Sequence, residues 1–271
     1  MFAKIKHMAI VSEKYTLQAA FYESVFGMTP AARKDRSDAG AMSLSDGYVG
    51  LTIISRMAGR PGGLEHFGLE VEDIERVRAR LRDAYPDIEI AQRPSTRPFA
   101  SFTTHDPTGN VFDISQQGLQ NRKSVYTETG ITQERECTIS HFAMYTLHAD
   151  AVARFYEEIF ELKPLPKKAG DPNHYLSDGR VTLMLMPWSI LNYNGTGIVR
   201  PYADHIGFKV KSVQAVKDNL QALIDNDPQL RPLPIEAGPE GRARLKLFAG
   251  CTCGAHQLTD VDGTLIDISE Q

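Results

Sequence analysis

The sequence has few cysteines and no long apolar run. Its 271 residues include three cysteines, and so small and odd a number does not fit the disulfide framework of a secreted domain. We therefore expect a reducing compartment, the cytoplasm. No apolar stretch approaches the about 20 residues that a transmembrane helix needs, so the sequence predicts no membrane partner.

The chain also lacks a strong excess of charge of either sign. Its formal net charge is −4, without the basic excess that nucleic acids or anionic lipids attract. Hydrophobic residues make up 42% and charged residues 24%, which is typical of a globular protein and argues against disorder. We expect a small molecule as the partner. A homo-oligomer is compatible with the sequence, although no feature requires it.

The two halves of the chain repeat one another. Five segments recur in the same order: 5–10 as 139–144, 21–30 as 155–164, 44–54 as 176–186, 65–81 as 204–220, and 106–116 as 260–270. Such ordered similarity indicates a duplicated domain. We predict a first domain at 1–118, a polar linker at 119–137 and a second domain at 138–271.

Each half contains two smaller units. A short strand that includes a histidine is followed by an amphipathic helix and then by further short strands separated by turn residues. In the first half, apolar residues of 17–26 have helical spacing, and Gly27 is a suitable helix end. This order predicts four tandem βαβββ modules, an α+β fold whose curved mixed sheets enclose clefts.

Six residues of metal-binding type occupy equivalent positions in the two repeats. They are His7, His66 and Asp113 in the first half, and His141, His205 and Asp267 in the second. An aspartate within an apolar strand needs a partner, because an unpaired buried carboxylate is costly. Two imidazoles and one carboxylate form the facial set of non-heme iron(II) sites. A single such histidine is more often a hydrogen-bonded core residue and such an aspartate a cap, but recurrence of all three favours metal binding.

These residues and motifs resemble the vicinal oxygen chelate superfamily, which includes glyoxalase I, extradiol dioxygenases, fosfomycin-resistance thiol transferases, methylmalonyl-CoA epimerase and bleomycin-resistance proteins. The resemblance covers nearly the whole chain, through the first-strand histidine, the FYExxFG-like helix, the LSDG turn and the DPxGN-type turn. It implies the two ligand sets above. Aspartate stands in both sets where the family usually has glutamate, and neither half has the fourth ligand of glyoxalase I and the epimerase.

The length and layout resemble the extradiol dioxygenases, and this resemblance implies a working site in the second half. Phe248 and Gln257, however, stand where that group has its catalytic histidine and tyrosine. We consider three other residues as catalytic candidates: His256, His174 and Tyr193. Exposure or a turn contact is the simpler role for each. Arginines that could hold an anionic substrate are Arg93, Arg97, Arg242 and Arg244, and the Cys251/Cys253 pair could be redox-active or linked to a metal.

The sequence thus favours a metal-dependent oxygenase that acts on a small, possibly aromatic substrate through adjacent oxygens. Iron(II) is the expected metal, with manganese, zinc, nickel and cobalt as alternatives. A glyoxalase-like lyase or isomerase, or a thiol transferase, would use the metal as a Lewis acid and consume no dioxygen. A protein that sequesters a small molecule without a metal is the third hypothesis.

Overall fold

Two mixed β-sheets, one from each half of the chain, form the framework of the protein. The structure is a computed structural model, and it describes residues 1–30, 40–94, 99–118 and 136–271. The α+β fold class is as the sequence predicts: strands and helices follow the βαβββ order in the first three modules, and the fourth departs from it. No helix within the described ranges is long and apolar enough to cross a membrane.

The first sheet has eight strands in the order β2-β3-β4-β1-β5-β8-β7-β6. Strand β1 pairs with β4 in parallel and with β5 antiparallel, and β5 pairs with β8 in parallel. Two βαβββ modules are thus joined side by side through their first strands. The strands are β1 Ala3–Ser12, β2 Thr29–Pro30, β3 Ala41–Ser45, β4 Gly50–Ser55, β5 Gly63–Val71, β6 Ala91–Gln92, β7 Phe102–His105 and β8 Val111–Gln116.

Two helices belong to the first half, α1 (Tyr15–Phe26) and α2 (Ile74–Ala84). Helix α1 ends at Gly27, whose φ of 62° is the left-handed conformation that glycine adopts without strain. Helix α2 begins after Asp73, whose side chain accepts a 2.9 Å hydrogen bond from the amide of Glu75. Both ends therefore follow from local sequence.

The second sheet has seven strands in the order β10-β11-β12-β9-β13-β15-β14. The strands are β9 Cys137–Thr146, β10 Lys163–Pro164, β11 His174–Ser177, β12 Thr182–Pro187, β13 Ala203–Val210, β14 His256–Thr259 and β15 Leu265–Glu270. The helices are α3 Ala149–Phe160, α4 Ile190–Thr196, α5 Val213–Asn226 and α6 Pro239–Ala249. Short 3₁₀ turns lie at Pro228–Leu230 and Ile235–Ala237.

The fourth module differs from the predicted repeat. Two strands follow its helix α5 instead of three, and helix α6 lies where the first of the three was expected. Proline has no amide to donate to a neighbouring strand, and this segment contains Pro228, Pro232, Pro234 and Pro239. The local sequence therefore favours turns and a helix over a paired strand.

The two halves share one apolar core. Phe26 of α1 stacks on Phe208 of β13, with ring centroids 4.1 Å apart, and Phe67 of β5 lies 5.1 Å from Phe142 of β9. Polar contacts cross as well. The amide of Ile5 donates to Asp178 at 2.7 Å, and that of Ile139 donates to Asp46 at 2.8 Å. The two aspartates belong to the repeated LSDG turns, so these turns fasten each half to the other.

The domain boundaries remain a prediction. Most of the linker expected at 119–137 lies outside the described residues, which resume at 136. Strand β9 begins at Cys137, the last residue of that predicted linker. The first sheet uses residues 3–116 and the second 137–270, which agrees with a division in this region.

Candidate metal centres

A β-bulge precedes each of the four repeated histidines. The register between β1 and β5 shifts around Lys6 and again around Glu65, and the register between β9 and β13 shifts around Ser140 and Asp204. A bulge inserts one unpaired residue and interrupts the alternation of side chains. In a regular strand, the residue before a histidine would point to the opposite face of the sheet. At a bulge, both side chains can lie on the same side, so the preceding residue can contact the histidine ring.

The first candidate centre contains His7, His66 and Asp113. One ligand atom from each of the three lies within 4.8 Å of the others, and His66 Nε2 is 3.3 Å from Asp113 Oδ2. A metal about 2.1 Å from each nitrogen or oxygen ligand places neighbouring ligands about 3 Å apart. The 3.3 Å between His66 and Asp113 is close to this value, so these three side chains are candidates to hold a divalent cation.

The outward atoms of this centre are held by neighbouring groups. Glu65 Oε2 lies 3.0 Å from His66 Nδ1, and Arg60 pairs with Glu65 at 2.5 Å. Thr103 donates to Asp113 Oδ1 at 2.7 Å. His66 Nε2 is buried and makes no hydrogen bond. His66 Nδ1 and Asp113 Oδ1 are thus held by neighbours, and His66 Nε2 and Asp113 Oδ2 face the centre. Metal-binding histidines are oriented by outer contacts of the same kind.

The ionisation of the three groups is strongly coupled. Burial, with His66 beside it, lowers the pKa of His7 to about 3. Burial also opposes the charge on His66, but the carboxylates of Asp113 and Glu65 outweigh it and raise the pKa of His66 to about 9. Burial likewise opposes the charge on Asp113, yet His66 and His7 hold its pKa at about 2. The site thus has a neutral imidazole, a carboxylate and a stabilised positive charge at one point.

A glycine allows the two histidine strands to approach. A Cβ at Gly68 would lie 2.4 Å from the ring of Phe99 and 3.1 Å from Cβ of His7. The ring of Phe99 stacks on that of His7 with centroids 4.8 Å apart. His7 is therefore held between Gly68 and Phe99. A side chain at Gly68 would collide with both residues.

A cavity of about 750 Å³ opens over this first centre. Both halves line it, the first with the three candidate ligands and the second with Phe142 and Tyr202 among others. Three arginines reach it: Arg60, Arg93 and Arg200. The size and the mixed lining suit a small organic molecule.

The second candidate centre is closed. One atom each of His141, Asp267 and Cys253 lies within 4.8 Å of the others, and His141 Nε2 is 3.5 Å from Asp267 Oδ2. His205 lies beside this group, with ring centroids 5.1 Å from His141. Burial, with His205 next to it, lowers the pKa of His141, and burial raises that of Asp267.

Segment 250–255 covers the second centre. A Cβ at Gly254 would lie 2.1 Å from Asp267 Oδ2. The two residues found at the dioxygenase catalytic positions also pack here. Phe248 lies 4.8 Å from the ring of His205, and Gln257 donates to Asp267 Oδ1 at 2.8 Å. These three residues fill the space directly beside His205 and Asp267.

The three catalytic candidates lie apart from both centres. His256 is directly opposite Ile268 on β15, so its side chain is on the other face from Asp267, and burial and Lys217 lower its pKa. His174 Nε2 is 2.9 Å from Asp150. Tyr193 is 52% exposed on α4. The structure brings none of them to the candidate ligands.

The candidate arginines are divided between the two halves. Arg93 Nη1 lies 3.0 Å from Thr103 and 3.5 Å from Asp113, whereas Arg97 lies outside the described residues. Arg244 pairs with Asp204, and Arg242 donates to the backbone of Glu236. Of the three arginines in this set that the structure describes, Arg93 lines the cavity.

Sequence reasoning missed the carboxylates that support the second histidine of each half. Asp204 Oδ2 lies 2.8 Å from His205 Nδ1, just as Glu65 contacts His66. The signal was present, since an acidic residue precedes this histidine in both repeats. Strict alternation along a strand points such a residue away, and the bulges that reverse this are not visible in the sequence.

Comparison with known proteins agrees with the α+β fold described above. Residues 4–114 match the family model described as Glyoxalase/Bleomycin resistance protein/Dioxygenase superfamily. No curated protein sequence matches the chain.

Solved structures with the same fold cover nearly the whole chain. The Mn(II)-bound glyoxalase from Novosphingobium aromaticivorans is 15% identical, with 99% of this chain and 82% of that chain covered and a TM-score of 0.63. The 2,3-dioxygenase LapB from Pseudomonas sp. KL28 is 12% identical, with 99% and 92% covered and a TM-score of 0.66. Homoprotocatechuate 2,3-dioxygenase from Arthrobacter globiformis is 16% identical, with 100% and 80% covered and a TM-score of 0.63. At these identities the likeness establishes the fold.

Proposed function

Because this chain belongs to the Glyoxalase/Bleomycin resistance protein/Dioxygenase superfamily, we propose that it is a metal-dependent oxygenase whose reaction takes place on His7, His66 and Asp113. The observation that carries this proposal is the position of these three side chains in the wall of the cavity. Three protein ligands leave coordination positions for other molecules, and the cavity gives those molecules room. The second-half set remains the expectation from the family resemblance, but Phe248, Gln257 and Gly254 pack directly against it.

The donor set suits iron(II), and manganese is the nearest alternative. A divalent metal held there would bind two adjacent substrate oxygens, lower their pKa and bring dioxygen alongside. Glu65 would fix the tautomer of His66, because its carboxylate accepts a hydrogen bond from Nδ1–H and leaves Nε2 as a ligand. Thr103 and Arg93 would keep Asp113 ionised and oriented.

The cavity also indicates the kind of substrate. Phe67 and Phe142 contribute aromatic surface to its lining, against which a flat ring can pack. Arg93 and Arg200 contribute positive charge. We therefore propose a small aromatic substrate with adjacent oxygens, such as a catechol or hydroquinone, and we expect the arginines to favour one that carries an additional anionic group.

The test is dioxygen uptake by protein reconstituted anaerobically with iron(II) or manganese(II), with a panel of catechols and hydroquinones. We expect wild type and His256→Ala to consume dioxygen, and His66→Ala to lose the activity. His256 is a suitable control because its side chain is on the face away from the second centre. Absence of uptake with every metal and substrate would contradict the oxygenase proposal.

Assays with α-oxoaldehyde adducts and thiols, added to this panel, separate the alternatives. A glyoxalase-like lyase or isomerase, or a thiol transferase, would turn over α-oxoaldehyde adducts or transfer thiols without dioxygen, and the fold shared with a Mn(II)-bound glyoxalase makes this the second candidate. Tight binding of an aromatic compound by protein that retains no metal after reconstitution would support sequestration instead.

A further inference from the structure

Tyr202 brings a side chain of the second half to the cavity over the first centre. It is half-buried and lines that cavity together with the three candidate ligands. Its backbone carbonyl accepts a 2.8 Å hydrogen bond from the amide of Tyr145 on β9. Its ring lies 4.9 Å from the guanidinium of Arg200. Backbone and ring are both anchored, so the residue has a defined place in the cavity wall.

The phenol of Tyr202 has a hydrogen bond left to give. Within the part of the chain that the structure describes, no group hydrogen-bonds it. The phenols of Tyr22, Tyr48, Tyr85 and Tyr175, in contrast, all donate to carboxylates. A tyrosine hydroxyl that is withdrawn from bulk water usually has a partner. Inside the cavity, that partner is water or a bound molecule.

Most charged groups of the cavity already have partners. Glu65 contacts His66 and pairs with Arg60, and Arg93 lies 3.5 Å from Asp113. These contacts support the candidate ligands and occupy the side chains that make them. Tyr202 and the neighbouring Arg200 are therefore the side chains left to contact the non-metal part of a bound molecule.

The phenol of Tyr202 retains its proton at neutral pH. Burial, with the Glu65 carboxylate nearby, raises the pKa of Tyr202, against the opposing effects of Arg200 and Arg60. A protonated phenol is a hydrogen-bond donor. Bonds from such a donor to a negatively charged oxygen are about twice as strong as those between neutral groups.

The repeat places no equivalent donor in the other half. Tyr202 corresponds to Gly63 when segment 204–220 is matched to 65–81. The strands agree with this match, because Gly63 pairs with Val11 at the position where Tyr202 pairs with Tyr145. A glycine has no side chain to offer. The tyrosine is therefore not a requirement of the repeated fold, and it belongs to the first-half cavity alone.

We propose that Tyr202 donates a hydrogen bond to an oxygen of the molecule bound at the first centre, so that the two halves share one active site. This inference rests on the function proposed above. A substrate whose adjacent oxygens bind a divalent cation gains negative charge on those oxygens. A donor that is already in place stabilises such charge without having to reorganise. Tyr202 would thus act on substrate binding and turnover, and not on metal retention.

The test uses Tyr202→Phe, which removes the phenolic oxygen and keeps the ring. The probe is para-nitrocatechol, because its visible absorption changes when its hydroxyl groups ionise or bind a metal. We expect anaerobic protein loaded with iron(II) to bind it, with a dissociation constant roughly 10- to 100-fold higher in Tyr202→Phe, the range for loss of a hydrogen bond to a charged group. Iron content should be unchanged.

Tyr193→Phe is the matched control, because Tyr193 is 52% exposed and does not line the cavity. We expect this variant to bind the probe as wild type does. Tyr202→Leu, which also lacks the donor, should show at least the loss of affinity seen in Tyr202→Phe.

The outcomes separate this inference from the proposed function. Equal probe affinity and equal kcat in wild type and Tyr202→Phe would overturn the role of Tyr202 and leave the proposed function intact. A fall in iron content that parallels the loss of affinity would show a structural role and overturn the inference as well. Absence of both probe binding and dioxygen uptake in wild type would overturn the inference together with the proposed function.

Discussion

The hydroxyl of Tyr22 donates a 3.0 Å hydrogen bond to Asp260, a residue 238 positions later in the chain. Tyr22 lies on α1 of the first half, and Asp260 lies in the turn before β15 of the second. In the equivalent pair the halves are exchanged: Tyr156 lies on α3 of the second half, and Asp106 lies in the turn before β8 of the first. Here the symmetry is incomplete, because the hydroxyl of Tyr156 is buried and has no hydrogen-bond partner.

This difference predicts unequal effects of the same substitution. Tyr22→Phe should reduce the free energy of unfolding by about 1–2 kcal/mol, because it removes a buried hydrogen bond and leaves Asp260 with one donor fewer. Tyr156→Phe should be neutral or slightly stabilising, since it removes a hydroxyl that is already unsatisfied. Chemical denaturation of both variants measures this, and equal losses would contradict the described contacts.

Two glycines should be required for metal binding. A Cβ at Gly207 would lie 2.0 Å from the ring of His141, so Gly207→Ala should displace this candidate ligand and lower retention of metal at the second centre. Gly68→Ala should act on His7 and lower retention of metal at the first centre. Overpacking of this kind costs about 1–3 kcal/mol of stability. Gly238→Ala is the control, because nothing lies within 4 Å of a Cβ built there. Full metal content in all three variants would show that the strands can separate without cost.

Glu65 should increase the metal affinity of the first centre without binding the metal. Glu65→Gln removes the negative charge beside His66 and should weaken iron(II) or manganese(II) binding by roughly 10–100-fold, as loss of other outer-shell partners does. Glu75→Gln is the control, because Glu75 pairs with Arg78 at the surface of α2 and is 73% exposed. Calorimetric titration with the metal alone measures the effect. Equal metal affinities in the two variants would show that Glu65 does not contribute to metal binding at the first centre.

Arg200 should contribute to the choice of substrate. Its guanidinium lies 4.9 Å from the ring of Tyr202 at the cavity and can approach an anionic group of a bound molecule. Arg200→Gln should raise KM for carboxylate-bearing catechols by about two- to fivefold, the range of an exposed ion pair, and leave KM for neutral catechols unchanged. Arg242→Gln in the second half is the control. A uniform change across both substrate classes would indicate a structural role.

The sequence predicted the α+β fold and three of the four βαβββ modules because these depend on local periodicity. It proposed the six candidate ligands from residue type and position. The FYE, LSDG and DPxG motifs identified the repeat, but their structural role could not be inferred from the sequence. Tyr22, Asp46 and Asp260 make contacts between the halves rather than contacts with a substrate. Their recurrence reflects a shared mode of packing.

Other features depend on three-dimensional arrangement and were not predictable. The cavity opens on His7, His66 and Asp113 because strands of both halves meet there, and helix α6 and segment 250–255 close the second centre. The ligand sets are chemically equivalent in sequence, so composition could not distinguish an open site from a closed one. The bulge at Glu65 depends on the register between two strands, and it could not be inferred from the sequence either.

The central claim is that the first-half centre holds the reactive metal. Anomalous diffraction from crystals of protein loaded with iron(II), recorded at the iron absorption edge, tests this most directly. The account predicts an iron peak between His7, His66 and Asp113 at the cavity. An iron peak only at His141 and Asp267, or no metal at the first centre, would contradict it.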